Sequence, residues 1–221
     1  MANYIRDVAR DLVTHGEACF EVVFSPSNTG NLFKFRINRI MPRSIRYFFG
    51  HPCQLLSSAS ILPEVRQLNR ERIFCIQLPG ISAGSWRQML QLLADIDNSS
   101  LNSRLMLTPG FNFETQRQFV EIARLRITSP IPWIHRISLK PKVVSDTYYV
   151  YRWLGMQRFR ARLLASIVSM INSMLSVAGS RVGFIARIVV DGLPTVEAID
   201  TAIQGLRAGT KGTEIAREFT R

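Results

Sequence analysis

The spacing of apolar positions changes once within the first forty residues. Asn3–Thr14 places Ile5, Val8, Ala9, Leu12 and Val13 at helical intervals, and Gly16 behind His15 supplies a stop. Glu17–Phe24 (EACFEVVF) has the composition of a strand, and Ser25–Asn31 that of a loop. From Leu32 to Ile40 the period falls to two. Leu32, Lys34, Arg36 and Asn38 share one face, and Phe33, Phe35, Ile37 and Arg39 the other. The pattern predicts a helix followed by a β-hairpin with one basic face.

Pro42 interrupts, Ser44–Phe49 reads as a further strand, and Gly50-His51-Pro52 as a turn. Arg72–Pro79 (RIFCIQLP) is again strand-like. Trp86–Ile96 carries Trp86, Met89, Leu90 and Leu93 on one helical face, Asp97–Ser103 reads as a polar loop, and Phe113–Leu125 has helical spacing. Pro130 and Pro132 break any helix, and Trp133–Val144 alternates like a strand. Ser145 or Asp146 can cap a long helix over 147–177, about 45 Å at 1.5 Å per residue, ended by Gly179. Gly183–Gly192 (GFIARIVVDG) reads as a strand, and Val196–Leu206 as a helix closed by Gly209.

These elements predict an α+β fold: a small antiparallel or mixed sheet with helices and one long helix. Two regions are expected. Residues 1–80 form a wing-like helix and hairpin, and residues 81–221 a helical region with helix 147–177 and a C-terminal strand and helix. The boundary falls at Pro79–Gly84 or at Ser129–Pro132.

Charge sharpens the picture. Of 28 basic residues only Lys34, Lys140, Lys142 and Lys211 are lysines, against 16 acids, for a net charge of +12. Guanidinium binds phosphate or carboxylate in a bidentate way, so this excess favours a polyanionic partner or an ion-paired interface. Between Arg117 and Arg187 stand 12 basic residues and 2 acidic ones, so most of the excess sits in a third of the chain. On the long helix Ser166, Ser169, Ser173, Ser176 and Ser180 recur at intervals of three and four, forming one stripe. Extended backwards, the stripe takes in Arg162, Arg158 or Phe159, Gly155 and Arg152. The expected channel- or nucleic-acid-facing residues are therefore Arg152, Arg158, Arg162, Ser166, Ser169, Ser173 and Ser176. Lys34, Arg36, Arg136, Lys140 and Lys142 give a secondary basic face.

Other chemistries find little support. His15, His51 and His135 lack metal-binding spacing, no nucleotide-binding glycine motif or serine-nucleophile motif occurs, and no catalytic set stands out. No cofactor or metal is expected, and an enzyme would need a scattered active site. Cys19, Cys53 and Cys75 are odd in number and widely spaced, which argues against a disulfide framework or a zinc site, and the apolar strand-like runs around Cys19 and Cys75 predict buried thiols there. The uncharged run Leu163–Ser180 barely reaches spanning length and holds five serines and an asparagine, so no membrane partner is expected.

The stretch DLVTHGEACFEVVFSPSNTGNLFKFRINRIMPRSIRYF, with its helix, glycine, strand, loop and strand ending at Ile40-Met41-Pro42, resembles a segment of tailed-phage portal proteins. RIFCIQLP falls where portals have a strand leading to a loop and helix. SDTYYVYRWLGMQRFRARLLASIVSMINSML resembles a portal helix near the tunnel. Portal subunits are generally longer, so the resemblance implies a reduced, split or truncated relative. It further implies a homo-oligomeric ring at a capsid vertex, passage of double-stranded DNA, and docking of terminase and head-completion proteins. Such a structural subunit would reside in the virion or the host cytoplasm and would do no chemistry of its own. A basic nucleic-acid-binding module acting through Arg117–Arg187 is the alternative.

Overall fold

The computed structural model describes residues 2–26, 33–56, 64–100, 112–129, 131 and 146–219. The expected strand Trp133–Val144, with Arg136, Lys140 and Lys142, lies outside the described residues. The fold is α+β, and its described residues contain six α-helices and two three-stranded antiparallel sheets. The chain forms two compact units, Met1–Gly84 with Leu163–Asp191, and Ser85–Arg162 with Gly192–Arg221. The first division between the units falls between Gly84 and Ser85. The long helix, however, is divided between the units, because its two halves pack against different elements.

In the first unit, helix α1 (Ala2–His15) leads through Gly16 into β1 (Glu17–Pro26). β1 is the central strand, flanked by β2 (Phe33–Ile40) and by β6 (Ile73–Gln77). Ala18, Cys19, Phe20 and Val22 are all buried, so both faces of β1 are covered and its apolar run is nearly continuous. The second sheet has the order β3 (Ile45–Phe48), β4 (His51–Leu56), β5 (Glu64–Gln67). The apolar pattern does not predict β4 or β5, because Pro52 inside β4 imitates a turn. The turn is Phe49–Gly50, whose φ values of 49° and 80° match the two-residue hairpin type that follows strand twist.

Two buried acids tie this unit together. Asp11 on α1 is fully buried and receives Arg39 of β2, with Nε donating to Oδ2 at 2.7 Å and Nη2 to Oδ1. Glu21 on β1 receives Arg66 Nη2 of β5 at 2.7 Å, which links the two sheets. Cys19 and Cys75, expected as thiols, form a disulfide instead. They are direct partners in the β1–β6 register with Cα atoms 4.2 Å apart, a proximity that their separation of 56 residues hides in the sequence. Cys53 remains a buried thiol.

Helices α2 (Ala83–Ser100) and α3 (Phe113–Ile127) precede the long helix α4 (Asp146–Val182, 37 residues). α2 runs through the expected loop start at Asp97. α4 passes Gly179 rather than stopping there, and Gly183, with φ of 85°, ends it. Within the first unit Met170, Met174 and Ala178 are buried, and Tyr4 donates its hydroxyl to Met174 Sδ at 3.7 Å. Burial pushes the Tyr4 hydroxyl well above the usual phenol range, which keeps it a donor. At Gly179 a Cβ would meet the Phe184 carbonyl oxygen at 2.2 Å, so only glycine lets the chain fold back so closely.

The segment after α4, expected as a strand, has no strand partner among the described residues. It is nonetheless extended. Phe184 N donates to Gly179 O at 3.3 Å, and Ile188 N donates to Asn172 Oδ1 at 2.7 Å. Four residues thus retrace what the helix climbs in seven, roughly 10 Å at 1.5 Å per helical residue.

In the second unit, Leu154 of α4 packs with Ile199, Ala202, Ile203 and Leu206 of α5 (Val196–Arg207) and Ile215 of α6 (Gly212–Phe219). Thr195 caps α5, its Oγ1 accepting from Ala198 N at 3.2 Å. Trp153 meets Phe219 edge to face at 5.9 Å. The apolar pattern does not predict the short α6, which lies beyond the Gly209 stop.

Arg39→Ala strands a fully buried carboxylate and should cost about 3 kcal/mol in denaturant unfolding. Asp11→Leu combined with Arg39→Met should recover most of that stability, and a double variant no more stable than Arg39→Ala would contradict the pairing. Reducing Cys19–Cys75 should lower stability by up to about 4 kcal/mol from the chain entropy of the opened loop. Equal unfolding midpoints with and without reductant would show that the bond does not constrain the unfolded chain.

Candidate nucleic-acid interface

Ser166, Ser169, Ser173 and Ser176 are all exposed on α4, on a stripe that runs beside the one carrying the buried Met170, Met174 and Ala178. Ser173 Oγ donates to its own helix at Ser169 O, 3.0 Å, leaving the hydroxyl oxygen's acceptor capacity toward solvent. Strand β6, one of the two outer strands of its sheet among the described residues, stands beside this seam. A groove of 680 Å³ lies between β6 and Ala165, Ser166, Ser169 and Ser173. It adjoins a second hollow of 750 Å³ bordered by Phe74, Asn172, Ser176, Val177 and Arg187. The groove therefore offers hydroxyls, one guanidinium and a strand edge unpaired among the described residues. Its lining has no pair of titratable groups to hand a proton between.

The three arginines expected on the same stripe have separate fates, all in the second unit. Arg158 is not an outward-facing cation. Its Nε lies 2.6 Å from Asp200 Oδ1, and its Nη2 donates to Oδ2 at 3.0 Å. The fork joins α4 to α5, because Asp200 stands one turn into α5 and opposite it. Arg162 is exposed. Arg152 is half-buried, and its Nε and Nη2 are buried with no acceptor among the described residues. Such a guanidinium face costs stability until an acceptor arrives.

Other cations complete the picture. Lys34 and Arg36 are exposed on β2 as the period-two pattern requires. Arg136, Lys140 and Lys142 lie outside the described residues. Arg181 sits over the Phe24 ring at 5.2 Å, and Arg72 over the same ring at 5.0 Å. The serine spacing does not single out Arg160 and Arg187, yet both are exposed. The Arg117–Arg187 excess contains their signal without tying it to positions.

Among the described residues no group of three or more His, Cys, Asp or Glu side chains could hold a metal ion. By length and composition alone α4 is apolar enough to cross a bilayer, and only 22% of its most apolar stretch is buried. Most of its Leu, Ile and Val side chains are partly buried among the described residues, and of its large apolar side chains Tyr149 and Tyr151 are the exposed ones. No protein-family model matches the chain, and no curated protein is similar to it.

Proposed function

We propose that this chain is a structural subunit of a portal-like ring that conducts double-stranded DNA in a phage or phage-derived particle. The observation that carries the reading is the coexistence on one long helix of an open hydroxyl seam and exposed guanidinium groups. Duplex DNA carries one negative charge per about 1.7 Å, so a basic surface attracts it by releasing counterions. Hydroxyls hydrogen-bond phosphate without fixing a charge, which suits a strand that must slide rather than dock. The partners of this reading are other copies of the chain, duplex DNA, and the capsid, terminase or head-completion proteins that the resemblance implies. The subunit has no catalytic role in it.

A second reading is a basic nucleic-acid-binding module that works as a monomer. The exposed Lys34 and Arg36 on β2, remote in sequence from the α4 cations, favour it.

Association with duplex DNA should weaken with salt along a straight double-logarithmic line. Each neutralised phosphate contributes about 0.9 to its slope, so Arg160→Glu with Arg162→Glu should flatten the line by about 1.8. An unchanged slope, or no DNA association at low salt, would remove the α4 cations from the account. The wild-type slope on a particle sized as a monomer would select the second reading.

A further inference from the structure

Residues 184–190 run back along α4 and belong to neither sheet. FIARIVV is rich in β-branched and aromatic residues, and it is held extended along α4 by one side chain that imitates a neighbouring strand. Asn172 Oδ1 accepts from Ile188 N at 2.7 Å, and Asn172 Nδ2 donates to Ile188 O at 3.0 Å. In an extended chain both backbone groups of a residue point to one side, and those of its neighbours to the other. With Ile188 turned toward α4, the N–H and C=O groups of Ile185, Arg187 and Val189 turn away from it. These groups have no hydrogen-bond partner among the described residues. The side chains are equally uncovered, Ile185 being fully exposed and Val189 65% exposed. A long, apolar, unpaired edge of this kind is a template for another strand.

The first unit also carries the edges that could receive it. The outer strands are β2, β6, β3 and β5. β2 presents Lys34 and Arg36, and β3 presents Arg46, so both would repel Arg187. β6 brings no acid. β5 alone offers one: Glu64 is exposed with no cation among the described residues, while the charge of Arg66 is already balanced by Glu21. All four β5 residues are exposed, including Val65 at 55%. Pairing of 184–190 with its own copy in a second chain would set Arg187 near Arg187 and is disfavoured.

We infer that the edge formed by Ile185, Arg187 and Val189 adds as a strand to the outer edge of β5 in a second copy of this chain. The inference rests on the assembly reading given above and names the contact that makes it. Donor and acceptor are different surfaces of one subunit, so the contact is head-to-tail, the kind that generates rings when the rotation closes.

Mass photometry of the full chain, with hydrogen exchange on the same samples, tests this. Val189→Pro deletes an N–H unbonded within the described chain but needed in an added strand, so assembly should be abolished. Val189→Thr should keep it. Arg187→Glu should weaken assembly about fivefold, and adding Glu64→Arg should restore it. In the wild-type assembly the amides of Ile185, Arg187 and Val189 should become protected. In dissociated protein only the Ile188 amide among these four should be, and its protection in Val189→Pro would show the fold intact. Wild-type assembly with normal assembly of folded Val189→Pro, or no rescue by Glu64→Arg, would overturn the strand contact and leave the ring reading standing. A wild-type chain monomeric at every concentration would overturn both.

Discussion

A carboxylate taken out of water must be given a cation, and this chain meets that demand with arginine. The buried Asp11 takes Arg39 and the buried Glu21 takes Arg66; nearer the surface, Asp200 takes Arg158 and Asp97 takes Arg124. The first pair fastens α1 to the main sheet, the second joins the two sheets, and the third holds α5 against α4. Because a planar guanidinium fixes orientation as well as distance, these pairs set the register in which the apolar surfaces meet. The rest of the arginine excess then defines the outside of the molecule. Arg160, Arg162 and Arg187 are exposed, and Arg152 keeps two buried nitrogens without an acceptor among the described residues. Internal pairing and the outward-facing remainder are two results of one imbalance, 28 basic residues against 16 acidic.

The same division applies to backbone hydrogen bonds. β1 is paired on both sides, while β6, β5 and the 184–190 segment each leave one side open among the described residues. The Gly179 close approach and the Asn172 clamp hold that segment straight. Open edges and partly covered apolar surface on α4 are costly for an isolated protomer. Both become interfaces if the subunit works in a closed assembly, where edges pair and apolar surface is covered by the next copy.

Much of the fold is legible in the sequence, and the misses share a cause. α1, β1, β2, β6 and α4 follow from local periodicity, which is what an amphipathic helix or half-buried strand writes into a chain. Pro52 hides β4, because its turn signal is local while its strand role depends on β3 and β5. The Cys19–Cys75 bond is hidden because only the β1–β6 register brings the two residues together. GFIARIVVDG reads as a strand but joins neither sheet, since pairing needs a second strand that the sequence pattern does not name. At the site, the serine seam can be read from spacing alone. The use of Arg158 by Asp200 cannot, because the two stand 42 residues apart and meet only through α4–α5 packing.

Negative-stain imaging of the purified full chain, alone and with duplex DNA, tests the central claim most directly. Closed rings with a central opening that DNA occupies are the expected result. Fields of single protomers, or open filaments that never close, would contradict it.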